Sequence, residues 1–355
     1  MGKDDPKPKS VSRAVSMPDT RGAALKKVHR QIAIKKVAAN VAAIKKAAST
    51  TLAEDGREYA EIRSDVFTVE GSQVAKAGDR FNSKLIERAL EDRNASDTLA
   101  TEMVRTRLYK DLQEILAKPA HAAVFGKVRR QYDITGTLKE LPVNRLLLAE
   151  MSNLYRKAPW AYEQALVSAS LTVLCLRQIA QDDPRLGQIW IALASRDIGL
   201  PRVQPAILGS KAKLKPEDFN DYLNHEVYSA VLLSRALGPS LAVRVALQHH
   251  LASTPGRWHP EVEGFAENEV QHILQLLGVV DAFAAMTAPR SFRPTPYSVR
   301  GALDQLIGGA RLGWYDVNAV ALLTAHCRKE FSLEKLRVST RRDGEVPKEN
   351  YFGIG

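Results

Sequence analysis

The chain has 355 residues, 45% of them hydrophobic and only 6% aromatic, and its 51 Lys and Arg against 40 Asp and Glu leave a formal charge of +11. That composition excludes collagen-like, fibrous and wholly disordered classes. Its two cysteines, Cys175 and Cys327, exclude a disulfide framework and a cysteine-only zinc site, and point to a reducing cytoplasm.

The positive charge is concentrated at the start, where residues 1–58 hold 13 Lys and Arg but 6 Asp and Glu. Residues 1–20, rich in Pro, Ser and charge, read as a disordered tail with too little apolar surface to order itself. Residues 21–58 read as a basic amphipathic helix. Between Arg21 and Leu52 the chain is Ala-rich and free of proline, and Ile34, Val37, Val41, Ile44 and Ala48 share one helical face. Lys26-Lys27, Lys35-Lys36 and Lys45-Lys46 flank that stripe. Two roles are open: a solvated helix docked on a neighbour, or an arm whose residues 21–52 contact an anionic surface or nucleic acid. No aromatic interleaves the lysines, so bases have no stacking platform.

A small N-terminal α+β module is expected over 59–140. Within it, loose alternation from Asp65 to Asp79, punctuated by Gly71 and Gly78, reads as a hairpin. Helical periodicity begins near Asn82 and runs to about Cys327, with breaks at Pro119, Gly136 and Pro142. No stretch reaches the roughly 18–20 uninterrupted apolar residues of a membrane span. The longest, Ala165 to Leu176, is broken by Ser168, Ser170 and Thr172. No secretory signal is expected either. Residues 331–355 read as a polar C-terminal tail. The expected fold is all-α, a helical bundle over 141–330 preceded by the small module and the basic N-terminal helix.

Candidate chemistry gathers in the second half. Arg196-Asp197-Ile198-Gly199-Leu200-Pro201 closes an apolar helix, and His225 follows the helix start Pro216-Glu217-Asp218-Phe219. His249 and His250 follow the apolar run Leu241 to Leu247. Asp281 stands in an otherwise greasy helix, where an unpaired buried charge costs several kcal/mol, so a neighbour must neutralise it. His29, His121, His272 and His326 read as satisfied core residues, Trp258 and Trp314 as packing residues, and Tyr222 and Tyr228 as core or rim.

Taken in order, these residues resemble the motifs of HD-domain phosphohydrolases. Arg196-Asp197-Ile198-Gly199-Leu200-Pro201 is similar to the His-Asp-x-Gly-Lys-x-x-x-Pro signature. Ile207-Leu208, Lys213-Leu214, Pro216-Glu217-Asp218-Phe219 and His225 resemble the Ile-Leu, Lys-x-x-x-Leu, Glu-Glu-Phe and His that follow it. His249-His250 matches the start of His-His-Glu, and Gly278 to Met286 resembles Ala-Val-Ala-Asp-x-Phe-Asp-Ala-Leu. Arg290-Ser291-Phe292-Arg293 is similar to Arg-Pro-Tyr-Arg. The combination resembles the HD-GYP subfamily of cyclic-di-GMP phosphodiesterases over about Leu141 to His326, and implies an HD-type helical bundle. Asp65 to Arg93 also resembles the short segment that often precedes such domains.

Departures from the pattern shape what the resemblance implies. Gln164 stands where the family has a leading histidine, Arg196 replaces the signature histidine, Leu200 the lysine and Leu251 the glutamate. The Gly-Tyr-Pro region reads Pro255-Gly256-Arg257-Trp258-His259-Pro260. Implied metal ligands are Asp197, His225, His249, His250 and Asp281. The position formed by Asp197 and the three histidines keeps every ligand, enough for one divalent transition metal: Fe, Mn, Zn or Ni. Arg196, a permanent cation, is expected to stand in for a second ion by pairing with Asp281 and Asp197. Arg290, Arg293 and Arg196 are the implied phosphate contacts. The function implied is that of a degenerate member, binding cyclic-di-GMP or a related nucleotide, or a protein partner, with weak or no hydrolysis. The alternatives are an active metal-dependent phosphodiesterase with Asp197 as its catalytic residue, and an adaptor with a vestigial pocket.

Overall fold

The computed structural model describes residues 56–91, 102–126, 134, 136, 143–210, 214–250, 258–289 and 294–328. The tail over 1–20, nearly all of the basic helix over 21–58, the C-terminal tail, Arg290 and Arg293 lie outside them.

The strand module is a nested pair of two-stranded ladders. The expected hairpin forms where β2 (Val66–Phe67) pairs antiparallel with β3 (Gln73–Ala75), Val66 opposite Ala75. Gly71, at a φ of 87°, turns the chain between them, a conformation that a Cβ disfavours. Around this hairpin β1 (Ala60–Glu61) pairs with β4 (Arg80–Phe81), Ala60 opposite Phe81. Asp65 fastens the module, its Oδ1 accepting the Ala77 N–H at 2.8 Å and its Oδ2 the Gln73 amide at 3.0 Å.

The rest is helical, as the periodicity indicates. In chain order come α1 (Ser83–Glu91), α2 (Glu102–Leu116), α3 (Arg145–Lys157), α4 (Pro159–Leu176), α5 (Leu186–Ala194), α6 (Pro216–Leu237), α7 (Leu241–Gln248), α8 (Glu267–Thr287), α9 (Val299–Arg311) and α10 (Val317–Arg328). Helix starts follow local chemistry. Asn82 and Asn144 each accept a backbone N–H three residues on, at 2.9 and 2.8 Å, while Pro159 and Pro216 occupy first-turn positions. Gly238, at a φ of 69°, ends α6.

Helix α4 is buried around most of its circumference and packs against α3, α5, α8 and α10, which makes it the axis of the bundle. The hydroxyls that interrupt its apolar run serve as polar sockets: Ser170 Oγ accepts the Trp190 indole N–H at 3.1 Å, and Ser168 reaches Asp281. On the other side α6 packs against α7 and takes α1 and the strand module on its flank. One hydrophobic core runs through all of these, from Ala60 to Leu323.

Helix α8 is long and apolar enough, by length and composition, to cross a membrane, but polar residues interrupt it and 56% of its apolar window is buried inside the fold. Two sequence expectations need correction. His272 is exposed rather than core, because it falls on the solvent face of α8 between buried Val270 and Ile273. Trp314 is 49% exposed in the turn that follows α9. His121 and His326 are buried as expected, His121 beside Glu163 at 3.2 Å and His326 beside Gln178 at 3.2 Å, while His29 lies outside the described residues.

Candidate metal centre

Three separate segments deliver the site. Asp197 sits in the tight turn after α5, His225 lies along α6, and His249 caps the end of α7 with His250 beside it. The turn is seated by Gly199, whose N–H donates to Ser229 Oγ on α6 at 2.8 Å. A Cβ at Gly199 would lie 2.5 Å from both His225 O and Ser229 N. Its φ is −79°, which any residue adopts, so glycine is required there for space rather than for conformation. The backbone contact brings Asp197 against His225.

Asp197 Oδ1 lies 3.4 Å from His225 Nε2 and 3.3 Å from His249 Nε2, and the two Nε2 atoms are 3.2 Å apart. Each Nδ1 faces a backbone carbonyl, Tyr222 O at 2.6 Å and Ala246 O at 3.0 Å. A carbonyl only accepts, so each Nδ1 carries its proton and, in the neutral ring, each Nε2 presents a lone pair. Three electron-rich atoms therefore face one another, an arrangement that a proton or a cation must hold. A tetrahedral ion with bonds of about 2.1 Å spaces its ligands about 3.4 Å apart, close to the three edges observed. His250 completes the group: one ligand atom from each of the three imidazoles lies within 4.8 Å of the others. The residues fit a divalent transition metal.

The electrostatics set which of these groups carry charge. Burial works against the Asp197 carboxylate, yet Arg196 and the neighbouring His225 and His249 hold its pKa well below the ordinary value. His250 is also pushed well below the usual imidazole range, first by burial and then by its two histidine neighbours, so it stays neutral and able to ligate. For His249 the Asp197 carboxylate outweighs burial and raises the pKa.

Beside the cage, Arg196 is 1% exposed. Its Nη2 donates to Asp281 Oδ1 at 2.6 Å, its Nε lies 3.2 Å from Asp197 Oδ2, and its Nη1 donates to Leu193 O at 2.9 Å. Asp281 Oδ1 also accepts from Gln164 Nε2 and Ser168 Oγ, both at 2.8 Å. Asp281 and Asp197, together outweighing burial, keep the guanidinium pKa above its ordinary value. The lone acid of α8 thus has its counter-cation and two neutral donors.

Residues 149–319 match the HD domain family model. The matched segment opens in α3, closes in α10 and contains both the imidazole cage and the arginine network. No curated protein and no solved structure gives a significant match. HD domains form a superfamily of metal-dependent phosphohydrolases that typically bind divalent metals, in keeping with the His225, His249 and His250 cluster.

Within the matched segment, Asp197 meets His225 and His249, and His250 joins those two imidazoles. Asp281 does not join them, since it faces Gln164, Ser168 and Arg196 on the other side of the guanidinium. Arg196, expected as a phosphate contact, is directed inward: Nη2 and Nη1 donate to Asp281 and to Leu193 O, and its Nε lies beside Asp197. Arg290 and Arg293 lie outside the described residues. Ser168 was not singled out by sequence as part of the site, although it sits one turn beyond Gln164 on the same face of α4. Tyr222, whose ring centroid is 4.8 Å from that of His225, walls the cage rather than merely filling core.

Proposed function

We propose that this protein is a degenerate HD-GYP member of cyclic-di-GMP signalling: it holds one divalent transition metal and binds nucleotide or a protein partner with weak or no hydrolysis. One observation carries the reading. Where the resemblance calls for the signature histidine of a second metal position, a buried arginine is paired with Asp281 and Asp197. A guanidinium supplies positive charge but no Lewis acidity.

A bound ion at the surviving position would supply Lewis-acid activation of water. Asp197, His225, His249 and His250 are the residues that would hold it, with the Tyr222 and Ala246 carbonyls orienting two of the rings. Arg196 neutralises Asp281 and leaves Asp197 ionised toward the cage. Leu200, at the position of the signature lysine, is 1% exposed and packs in the core, so a phosphate contact is lost there as well. Binding therefore survives better than turnover.

Metal analysis, calorimetry and product chromatography test this together. Full-length protein loaded with Mn²⁺ or Fe²⁺ is expected to retain one equivalent of metal, to lose it in His249→Ala, and to bind cyclic-di-GMP without releasing pGpG or GMP. Absence of metal would favour a vestigial-pocket adaptor. Brisk release of product would favour the second reading, an active phosphodiesterase, which the retention of Asp197 and all three histidines in the sequence supports.

A further inference from the structure

The strand module touches two of the three segments that deliver the cage ligands, and also holds the chain where it is next described after the third. The first contact reaches the Asp197 turn through a buried relay. Glu150, 1% exposed on α3, accepts the Val69 N–H at 2.9 Å and pairs with Arg202, at 2.9 Å through Oε1 and 2.6 Å through Oε2. Arg202 in turn donates to Phe67 O at 2.8 Å and to Ile198 O at 3.1 Å, the carbonyl of the residue after Asp197. The second contact is on α6, where Ser64 Oγ and Tyr228 Oη are 2.7 Å apart, one turn beyond His225. The third follows the paired histidines. Trp258, eight residues after His250, donates its N–H to Glu58 O at 2.7 Å. Its ring lies 5.7 Å from that of Tyr59 and 6.2 Å from that of Phe81.

We propose that the strand module is the positioning element of the metal cage, with Arg202, Tyr228 and Trp258 as the positioning residues. The idea deepens the metal-binding reading and rests on it. The physical argument is one of convergence. The cage atoms must stand within a few tenths of an ångström of their ligand spacing, and they come from an interhelical turn, a helix interior and a helix end. One body that grips the Asp197 turn and the His225 helix narrows their relative movement and so lowers the ordering cost of binding an ion. Coupling of this kind is reciprocal: if the docked module tightens the ion, the ion must tighten the docked module by the same factor.

The test uses the full-length chain with Co²⁺ as the probe. Its affinity and visible absorption spectrum are measured in the wild type, Tyr228→Phe, Glu150→Gln and Trp258→Ala, with stability measured separately by urea denaturation in chelator. Each variant is expected to weaken Co²⁺ binding by about 10-fold, the lower end of the roughly 10- to 100-fold seen for residues that orient metal ligands, and to alter the ligand-field bands. Hydrogen exchange of residues 60–81 is expected to slow when Co²⁺ is added to the wild type. Tyr228→Phe removes a single hydroxyl and keeps the ring, so it preserves the test should the other two variants fail to fold. Variants that lose stability but keep the wild-type Co²⁺ affinity and spectrum would overturn the positioning role and leave the metal reading standing. A wild type that binds no Co²⁺ would overturn both.

Discussion

Gly199 is the most demanding position in the site, and Gly199→Ala tests the geometry directly. The added methyl would stand 2.5 Å from His225 O and Ser229 N, and 2.8 Å from Ser229 Oγ. Two of those three atoms belong to the backbone of α6 and cannot rotate away. Ordinary contact lies near 3.4 Å, so the Asp197 turn must back off by about 0.9 Å, an overpacking that costs about 1–3 kcal/mol. Retreat also stretches the Gly199 N–H bond to Ser229, worth about 1 kcal/mol. The expected loss is about 2–4 kcal/mol in urea denaturation. The same displacement would carry Asp197 Oδ1 from 3.4 Å to beyond 4 Å from His225 Nε2, outside the spacing of a shared ion, so metal content should fall with stability. Gly278→Ala is the matched control. Nothing lies within 4 Å of a Cβ there, and replacing glycine inside α8 should stabilise by about 0.5–1 kcal/mol with metal binding unchanged. A Gly199→Ala protein as stable and as metal-loaded as the wild type would refute the close-approach argument.

Arg196→Ala leaves Asp281 and Asp197 facing each other without their cation, and should destabilise by about 3 kcal/mol in chelator-treated protein; a change below 1 kcal/mol would discount the pair. Gln164→His combined with Arg196→His returns two imidazoles to the eroded position and should raise bound metal from one equivalent to two, read by elemental analysis. Acid titration should expose Glu163, whose carboxyl is held at about 2 by His121 and, beyond the opposing effect of burial, by Lys118. Because the folded value is depressed, this stabilisation is present above about pH 4.5 and is lost as pH falls toward 2. After solvent screening it is about 1–2 kcal/mol, and it should vanish in Glu163→Gln. His259 should act in a higher window. Burial and the charges of Arg244 and Arg57, against a smaller pull from Glu267, lower it to about 4. The folded state resists its proton, so stability should fall between about pH 6.5 and 4 by up to about 2 kcal/mol, and His259→Gln should flatten that slope in denaturation curves taken across it.

What the sequence revealed followed from local chemistry. The proline start of α6, the end of α5 and the polar residues at each terminus are written in neighbouring side chains. The need of Asp281 for a cation was legible because an acid in an apolar helix has no other solution, and Arg196 was the nearest motif residue able to serve. Ser168 stayed hidden because a serine inside an apolar run looks like an interruption until the facing helix supplies an acid. Strands β1 and β4 escaped because two residues cannot display alternation. His272 and Trp314 were misjudged because burial depends on which face a neighbouring helix covers, which one-dimensional spacing does not record.

The nested ladders have a practical consequence. Strands of two or three residues do not hold together alone in water, so these borrow their persistence from the flank of α6, which they in turn keep dry. A recombinant fragment trimmed to residues 149–319 would retain all that the family pattern recognises, yet strip that cover and present a greasy surface prone to self-association. The stretch that a motif defines and the stretch that folds are, for this polypeptide, of different lengths.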